Sequence, residues 1–254
     1  MVGIVIVSHS ARIAEGVLEL AAQMAGPGVR IAAAGGLDEP EGALGTDAAL
    51  VLRALEEVWS EDGVLVLMDL GSAVLSAELA VDLLDEERRG RLLLTEAPLV
   101  EGAVAAAVAA GLGDPLDAVA AAARAGLAGK AAHLAPGAGE ADVRASRHEA
   151  AGTGPVTGPA APTARVTVLN AHGLHARPAA LLVRTAAGFD AVVTVADATN
   201  GRGPVGARSL NGVATLGARR GDELVVTADG PQAAEALAAI SRLADAGFGE
   251  LEAA

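Results

Sequence analysis

In the first half of the chain, short unbroken apolar runs alternate with longer amphipathic stretches. "GIVIVS" (3–8) predicts a buried strand, after which Ile13, Val17, Leu20 and Met24 recur at helical spacing. "VRIAAA" (29–34) predicts a second strand, and "GTDAALVLRALEEV" (45–58) a helix capped by Thr46 or Asp47. "GVLVLMD" (63–69) predicts a third buried strand and residues 72–84 a helix, while "DEERRG" (85–90) reads as a solvated turn. "RLLLTE" (91–96) gives a fourth strand, followed by Ala-rich helices at about 100–111 and 115–129. This alternation predicts an α/β doubly wound, mainly parallel sheet covered on both faces.

The rhythm stops at residues 133–163, where Pro, Gly and Ala dominate and no apolar period survives; this reads as a linker. Treated as a flexible coil, its 31 residues span about 30 Å. Beyond it, "ARVTVLN" (164–170) and "AVVTVAD" (191–197) alternate like strands of a half-exposed sheet. Ala179, Leu182, Val183 and Ala186 make a helical stripe between them. A strand near 202–207, a short helix at 209–216, a strand at 222–228 and a last helix carrying Ala233, Leu237, Ile240 and Ala244 complete the series. The order β-α-β-β-α-β-α predicts an α+β module, an antiparallel sheet with helices on one face. The expected division is 1–132, linker 133–163, and 164–254.

Composition narrows the chemistry. The 254 residues contain no cysteine, so neither disulfides nor thiolate metal sites are available, which is compatible with a cytoplasmic protein. No apolar run reaches membrane-helix length, and the start lacks a signal-peptide pattern. Trp59, Phe189 and Phe248 are the only aromatics, so the cores must be aliphatic. Net charge is −14, unevenly spread: residues 1–132 carry 8 basic and 20 acidic side chains, residues 164–254 carry 8 and 9. An acidic surface argues against a nucleic-acid partner.

Candidate chemistry gathers where strands hand over to helices. In "NAHGLHARPAA" (170–180), His175 stands at or beside a helix N-cap, with Pro178 in the first turn where its missing N–H costs nothing. The unpaired amides of that turn, beginning at Ala176, carry partial positive charge, and Arg177 adds donors suited to phosphate. This arrangement suits a phosphoryl group carried on the imidazole. His9 repeats the geometry in "VSHSARIAEG", at the carboxyl end of the first strand, where ligands bind in doubly wound sheets. Ser8 and Ser10 offer caps or anion donors, and Asp69, Gly71 and Ser72 in "MDLGSA" should open onto the same crevice. A carboxylate there fixes the imidazole tautomer. Blander readings stand beside these: His172 and His175 as half a metal site, His175 as a plain cap, Asp69 as the cap of residues 72–84. No other metal-ligand cluster and no nucleotide-binding loop is visible.

"GLHARPA" (173–179) and "ARSLNGVATLGARRGDELVVTADG" (207–230) resemble HPr, the histidine phosphocarrier of the bacterial phosphoenolpyruvate-dependent phosphotransferase system. "IVIVSHSARIAEGV", "GTDA" and "VLVLMDLGSAVLSAELA" resemble the mannose-type enzyme IIA domain. This pairing of domains resembles the DhaM family, the phosphoryl-donor subunits of phosphotransferase-dependent dihydroxyacetone kinases. The resemblance implies a mannose-type IIA domain over 1–132 and an HPr domain of the open-faced sandwich type over 164–254. It implies that His175 takes phosphate on the ring nitrogen facing the helix start, attended by Arg177, and that His9 is phosphorylated with Asp69 orienting it. Thr46, in "GTDA", and Ala176 count as support, and Ser209 stands where some HPr proteins are phosphorylated by a regulatory kinase.

Some relatives carry an enzyme I-like third segment; with the chain ending at Ala254, phosphate is expected from a separate enzyme I. The implied acceptor is ADP held by the kinase subunit DhaL, working with DhaK on dihydroxyacetone. The chain itself needs no cofactor, inserts in no membrane and is expected to form a homodimer through the IIA domain. Tethering would raise the effective concentration of His175 near His9 to about millimolar. Two other assignments fit the same residues: a component of a mannose-type sugar transport system, and a regulatory module acting by phosphorylation-dependent binding.

Overall fold

The structure, a computed structural model, describes residues 1–38, 43–134 and 161–250. Contacts divide the chain into two units, Met1–Leu127 and Ala128–Ala254.

In the first unit, β1 (Gly3–Ser8), β2 (Ile31–Gly35), β3 (Val64–Met68) and β4 (Leu92–Thr95) form a parallel sheet in the order β2-β1-β3-β4. The helices are α1 (Ala11–Met24), α2 (Ala48–Glu57), α3 (Gly71–Asp82), α4 (Glu86–Arg89), α5 (Leu99–Gly111) and α6 (Leu116–Arg124). Continuous apolar runs make sense because alternate side chains feed two cores. Ile4, Ile6, Leu65 and Leu67 pack with Ala14 and Val17 of α1, Ala106 of α5 and Val119 of α6. Val5, Val7, Val64 and Val66 pack with Val51 and Leu55 of α2 and Ala73 and Ala77 of α3. Because β2 and β3 flank β1 on opposite sides, the chain leaves β1 at the switch point of the sheet.

The second unit begins with α7 (Ala128–Leu134) and continues with β5 (Thr163–Thr167), α8 (Ala176–Ala187), β6 (Val192–Asp197), β7 (Val205–Gly206), α9 (Leu210–Thr215), β8 (Glu223–Asp229) and α10 (Ala233–Asp245). A short turn, Gly247–Gly249, follows. The antiparallel sheet runs β5-β8-β6-β7. Burial alternates along β6 and β8, so that Val193, Val195, Leu224, Val226 and Ala228 make its buried side. Leu182 and Val183 of α8 and Ile240 and Ala244 of α10 are buried in the same unit. This is the expected two-sheet architecture.

Several local expectations change. Along α1 the buried residues are Ala14, Val17, Ala21 and Met24, whereas Ile13 and Leu20 are exposed. Small alanines face the sheet and let the helix lie close, so the larger apolar residues do not mark the buried stripe. The 85–90 turn contains a helical turn, α4, capped by Asp85 accepting from the Arg88 amide at 2.8 Å. Asp47, not Thr46, caps α2, accepting from the Ala49 amide at 2.7 Å. The 115–129 helix is broken into α6, a tight turn at Ala125–Leu127 and α7. The expected linker loses His133 and Leu134 to α7 and Thr163 to β5; its residues 135–160, His148 included, lie outside the described residues. The 202–207 strand shrinks to Val205–Gly206, and β5 ends at Thr167.

Candidate functional site

In the first unit, β1 ends at Ser8 and His9 occupies the gap before α1, whose N-cap is Ser10. Asp69 occupies the matching gap between β3 and α3. The parallel register of β1 and β3 places these two gaps side by side. Asp69 Oδ1 accepts from His9 Nδ1 at 2.9 Å and from the Leu70 amide at 2.7 Å. Asp69 Oδ2 accepts from the His9 amide at 2.9 Å and from the Ser8 hydroxyl at 2.8 Å. A carboxylate can only accept, so the His9 proton sits on Nδ1 and Nε2 carries the lone pair. Nε2 faces the Ser72 hydroxyl at 2.5 Å. Gly71 and Ser72 open α3, so their amides have no acceptor within the helix and add positive potential beside Nε2.

Burial pushes the Asp69 carboxyl up. The bonds from His9, Ser8 and Leu70 outweigh that effect and hold it below the ordinary carboxylate value. Ser8 is fully buried and its hydroxyl donates to the Asp69 carboxylate. The Ser10 side chain makes no capping bond; its amide donates to Ser8 Oγ at 3.2 Å. The Thr46 hydroxyl meets Ser76 Oγ at 2.7 Å, tying the loop before α2 to α3. A cleft of about 480 Å³ opens beside Asp69, lined by Leu70, Gly71 and Val74 on one side and Thr95, Glu96 and Pro98 on the other.

In the second unit, His175 is the N-cap of α8 by its backbone, and its ring makes no capping bond. Gly173 is needed just before it. Its φ is +71°, and an added Cβ would lie 2.3 Å from the Ala218 carbonyl oxygen. Gly173→Ala should therefore destabilise this unit by about 2 kcal/mol or more, read as a lower urea midpoint with an unchanged slope. The cap position leaves the α8 amides at Ala176 and Arg177 without helical acceptors. Arg177 is exposed and, among the described residues, unpaired. Ser209 caps α9, its hydroxyl accepting from the Gly212 amide at 3.1 Å.

Two residues of this site are not apparent in the sequence pattern. Glu250 Oε1 meets His175 Nε2 at 2.9 Å. Asn170 Nδ2 donates to Glu250 Oε2 and to the Gly247 carbonyl, each at 2.7 Å. His172 lies edge-on to His175 with ring centroids 6.4 Å apart. Among the described residues no group of three or more His, Cys, Asp or Glu could hold a metal ion, and no helix is long and apolar enough to cross a membrane.

Two family models match the chain: EIIA-man, the PTS system fructose IIA component, over residues 3–120, and PTS-HPr, the PTS HPr component phosphorylation site, over residues 162–246. Each spans one of the two histidine sites. The chain is 43% identical over 251 residues to the PEP-dependent dihydroxyacetone kinase, phosphoryl donor subunit DhaM, of Klebsiella michiganensis, covering 98% of this chain and 51% of that protein. It is 43% identical over 253 residues to the subunit of the same name from Escherichia coli K12, covering 99% and 52%. It thus spans about half the length of these curated relatives. A shorter relative, the PEP-dependent dihydroxyacetone kinase 2 phosphoryl donor subunit DhaM of Listeria innocua, is 42% identical over 108 residues, 42% of this chain and 85% of that one. With a IIA module and an HPr module each carrying a histidine at a helix start, the chain belongs to the DhaM family of phosphoryl donor subunits.

Proposed function

We propose that this chain relays a phosphoryl group from phosphoenolpyruvate, through enzyme I, to His175, then to His9, and then to ADP bound on a DhaL subunit. The ATP so regenerated phosphorylates dihydroxyacetone on DhaK, making the assembly a phosphoenolpyruvate–glycerone phosphotransferase of the cytoplasm. The observation that carries this reading is the His9–Asp69 pair, which leaves an unprotonated Nε2 facing Ser72 at the start of α3. The relatives' designation as phosphoryl donor subunits of PEP-dependent dihydroxyacetone kinases supports dihydroxyacetone as the end of the route.

In the transfers to His175 and to His9 a ring nitrogen lone pair attacks phosphorus as the donor's P–N bond breaks, the bonding pair returning to the donor nitrogen. In the last step an oxygen of the ADP β-phosphate attacks and the His9–phosphorus bond breaks, its pair returning to the His9 ring nitrogen. No deep ground-state binding is required. Alignment and charge stabilisation supply the rate. In the acidic first unit the charge of the arriving phosphoryl group is met locally, by the α3 amides and by Arg12 in the first turn of α1. Exposed Leu75 and Leu79 of α3, with Leu83 just beyond, support a homodimer through this unit.

The test is reconstitution of the full chain with phosphoenolpyruvate, enzyme I, DhaK, DhaL, ADP and dihydroxyacetone. Dihydroxyacetone phosphate should accumulate in step with pyruvate. Transfer of label to the IIB subunit of a sugar permease, in place of ADP, would assign the chain to transport. A labelled chain that forms no sugar phosphate would assign it to regulation.

A further inference from the structure

The two histidines are held by opposite ring nitrogens. Asp69 takes Nδ1 of His9, whereas Glu250 takes Nε2 of His175. The second arrangement is expensive. Glu250 reaches the ring through three successive residues in left-handed backbone, Gly247 at φ 57°, Phe248 at 49° and Gly249 at 78°. For a bulky aromatic that conformation is strained. Phe248 is fully buried, and the 247–249 turn packs against α8 and α10. Asn170 adds a second cost. It is buried, both groups at its amide end are acceptors, and so its NH₂ must point at them; its Oδ1 then has no hydrogen-bond partner. A buried orphan and a strained turn persist only when something else requires them. Here both serve to seat one carboxylate on one ring nitrogen.

We infer that Glu250, held by Asn170, is a positioning residue for the HPr-module histidine: it keeps a proton on Nε2 of His175, before and after phosphorylation. This rests on the relay reading above. With Nε2 protonated, the lone pair lies on Nδ1, and phosphate is taken there. In the onward step the acceptor nitrogen attacks phosphorus, the Nδ1–P bond breaks and its electron pair returns to Nδ1. If Nε2 still carries its proton, the leaving group is a neutral imidazole instead of an imidazolate. A carboxylate against Nε2–H favours that protonated phosphoimidazole.

Other charges around the ring do not take this place. His172 is 6.4 Å away by ring centroids, and Arg177 lies on the α8 side. The 217–222 loop, whose Ala218 carbonyl accepts from the Leu174 amide, carries Arg219, Arg220 and Asp222; Asp222 accepts from the Arg219 amide at 2.7 Å.

The experiment uses the full chain as His9→Ala, labelled with phosphoenolpyruvate and enzyme I, alone and combined with Glu250→Gln, Glu250→Asp or Asn170→Ala. Phosphorus and proton NMR report the ring nitrogen carrying phosphate and the pH at which the phosphorylated ring loses its proton. Transfer from phospho-His175 to a separately added full-length His175→Ala chain gives the rate. Phosphate should be on Nδ1. In Glu250→Gln the deprotonation midpoint should fall by about one pH unit, with transfer about tenfold slower above both midpoints and unchanged below them. Glu250→Asp should recover part of the shift, and Asn170→Ala should move it the same way. Identical midpoints in wild type and Glu250→Gln, or phosphate on Nε2, overturn the assignment while leaving the relay intact. A wild-type chain labelled at His9 but never at His175 overturns the relay itself, and this role with it.

Discussion

Replacing His9 with alanine should leave His175 labelled by phosphoenolpyruvate and enzyme I to within about twofold, while delivery to ADP falls to background, a loss of about 10³-fold or more. The two halves of this result have separate causes. His175 sits in the second unit, which has its own sheet and core, so nothing that forms its site passes through His9. His9, by contrast, is the only histidine in Met1–Leu127, and no cysteine stands in for it. The nearby oxygens do not replace it. Ser72 Oγ lies 2.5 Å from Nε2, but in the variant it would face a space without a base to take its proton. Digestion of the labelled variant should place the acid-labile phosphate on the peptide containing His175. A His9→Ala chain that still sustains dihydroxyacetone phosphate formation would show that phosphate leaves directly from the HPr module.

Much of this was open to a reading of the sequence, and the reason is geometric. A fully buried parallel strand must be apolar on both faces, so "GIVIVS" and "VLVLM" announce themselves, and the polar residue that ends each run lies at the sheet's carboxyl edge. His9 and Asp69 are those residues, sixty positions apart in sequence and joined by the β1–β3 register. His175 is similarly marked by the glycine and proline on either side of it. What the sequence hides are contacts that obey no period. Glu250 follows the last helix in a stretch without periodicity, and its link to Asn170 spans eighty positions. The one trace is Phe248: in a chain with three aromatics, a phenylalanine between two glycines is a buried anchor in a left-handed turn. The partner of Ser8 is hidden for a related reason: its neighbours suggest a cap or anion donor, and only the β1–β3 register shows that its hydroxyl is buried and donates to the Asp69 carboxylate.

Asp69→Asn should be the more informative lesion, because it changes the chemistry of the imidazole with almost no change in volume. Asp69 accepts four hydrogen bonds, two on each oxygen, and two of the donors are backbone amides that cannot turn away, His9 N–H and Leu70 N–H. Asparagine has one oxygen. If its NH₂ takes the place of Oδ1, it donates to His9 Nδ1 and moves the ring proton to Nε2, removing the nucleophilic lone pair. If the NH₂ takes the place of Oδ2, the His9 amide loses its acceptor and the ring loses its backbone registration, while the Ser8 hydroxyl can rotate to accept. Both orientations leave one amide facing an NH₂, so neither is strongly preferred and the wrong tautomer is populated. The same exchange in a serine-protease triad costs about 10⁴-fold, and here phosphoryl transfer to His9 should slow by about 10²–10⁴-fold. The unpaired amide should cost about 1–3 kcal/mol of stability in this unit. The rate effect should persist across neutral pH. A carboxyl held below its ordinary value contributes its stability fully above that value, and loses it only as the pH falls from there through the lower folded-state titration. Labelling of His175 in the same molecules is the internal control: it should proceed at the wild-type rate while label on His9 lags. Equal rates at both histidines would mean that the Asp69 bond to Nδ1 holds the loop in place and does not set the tautomer.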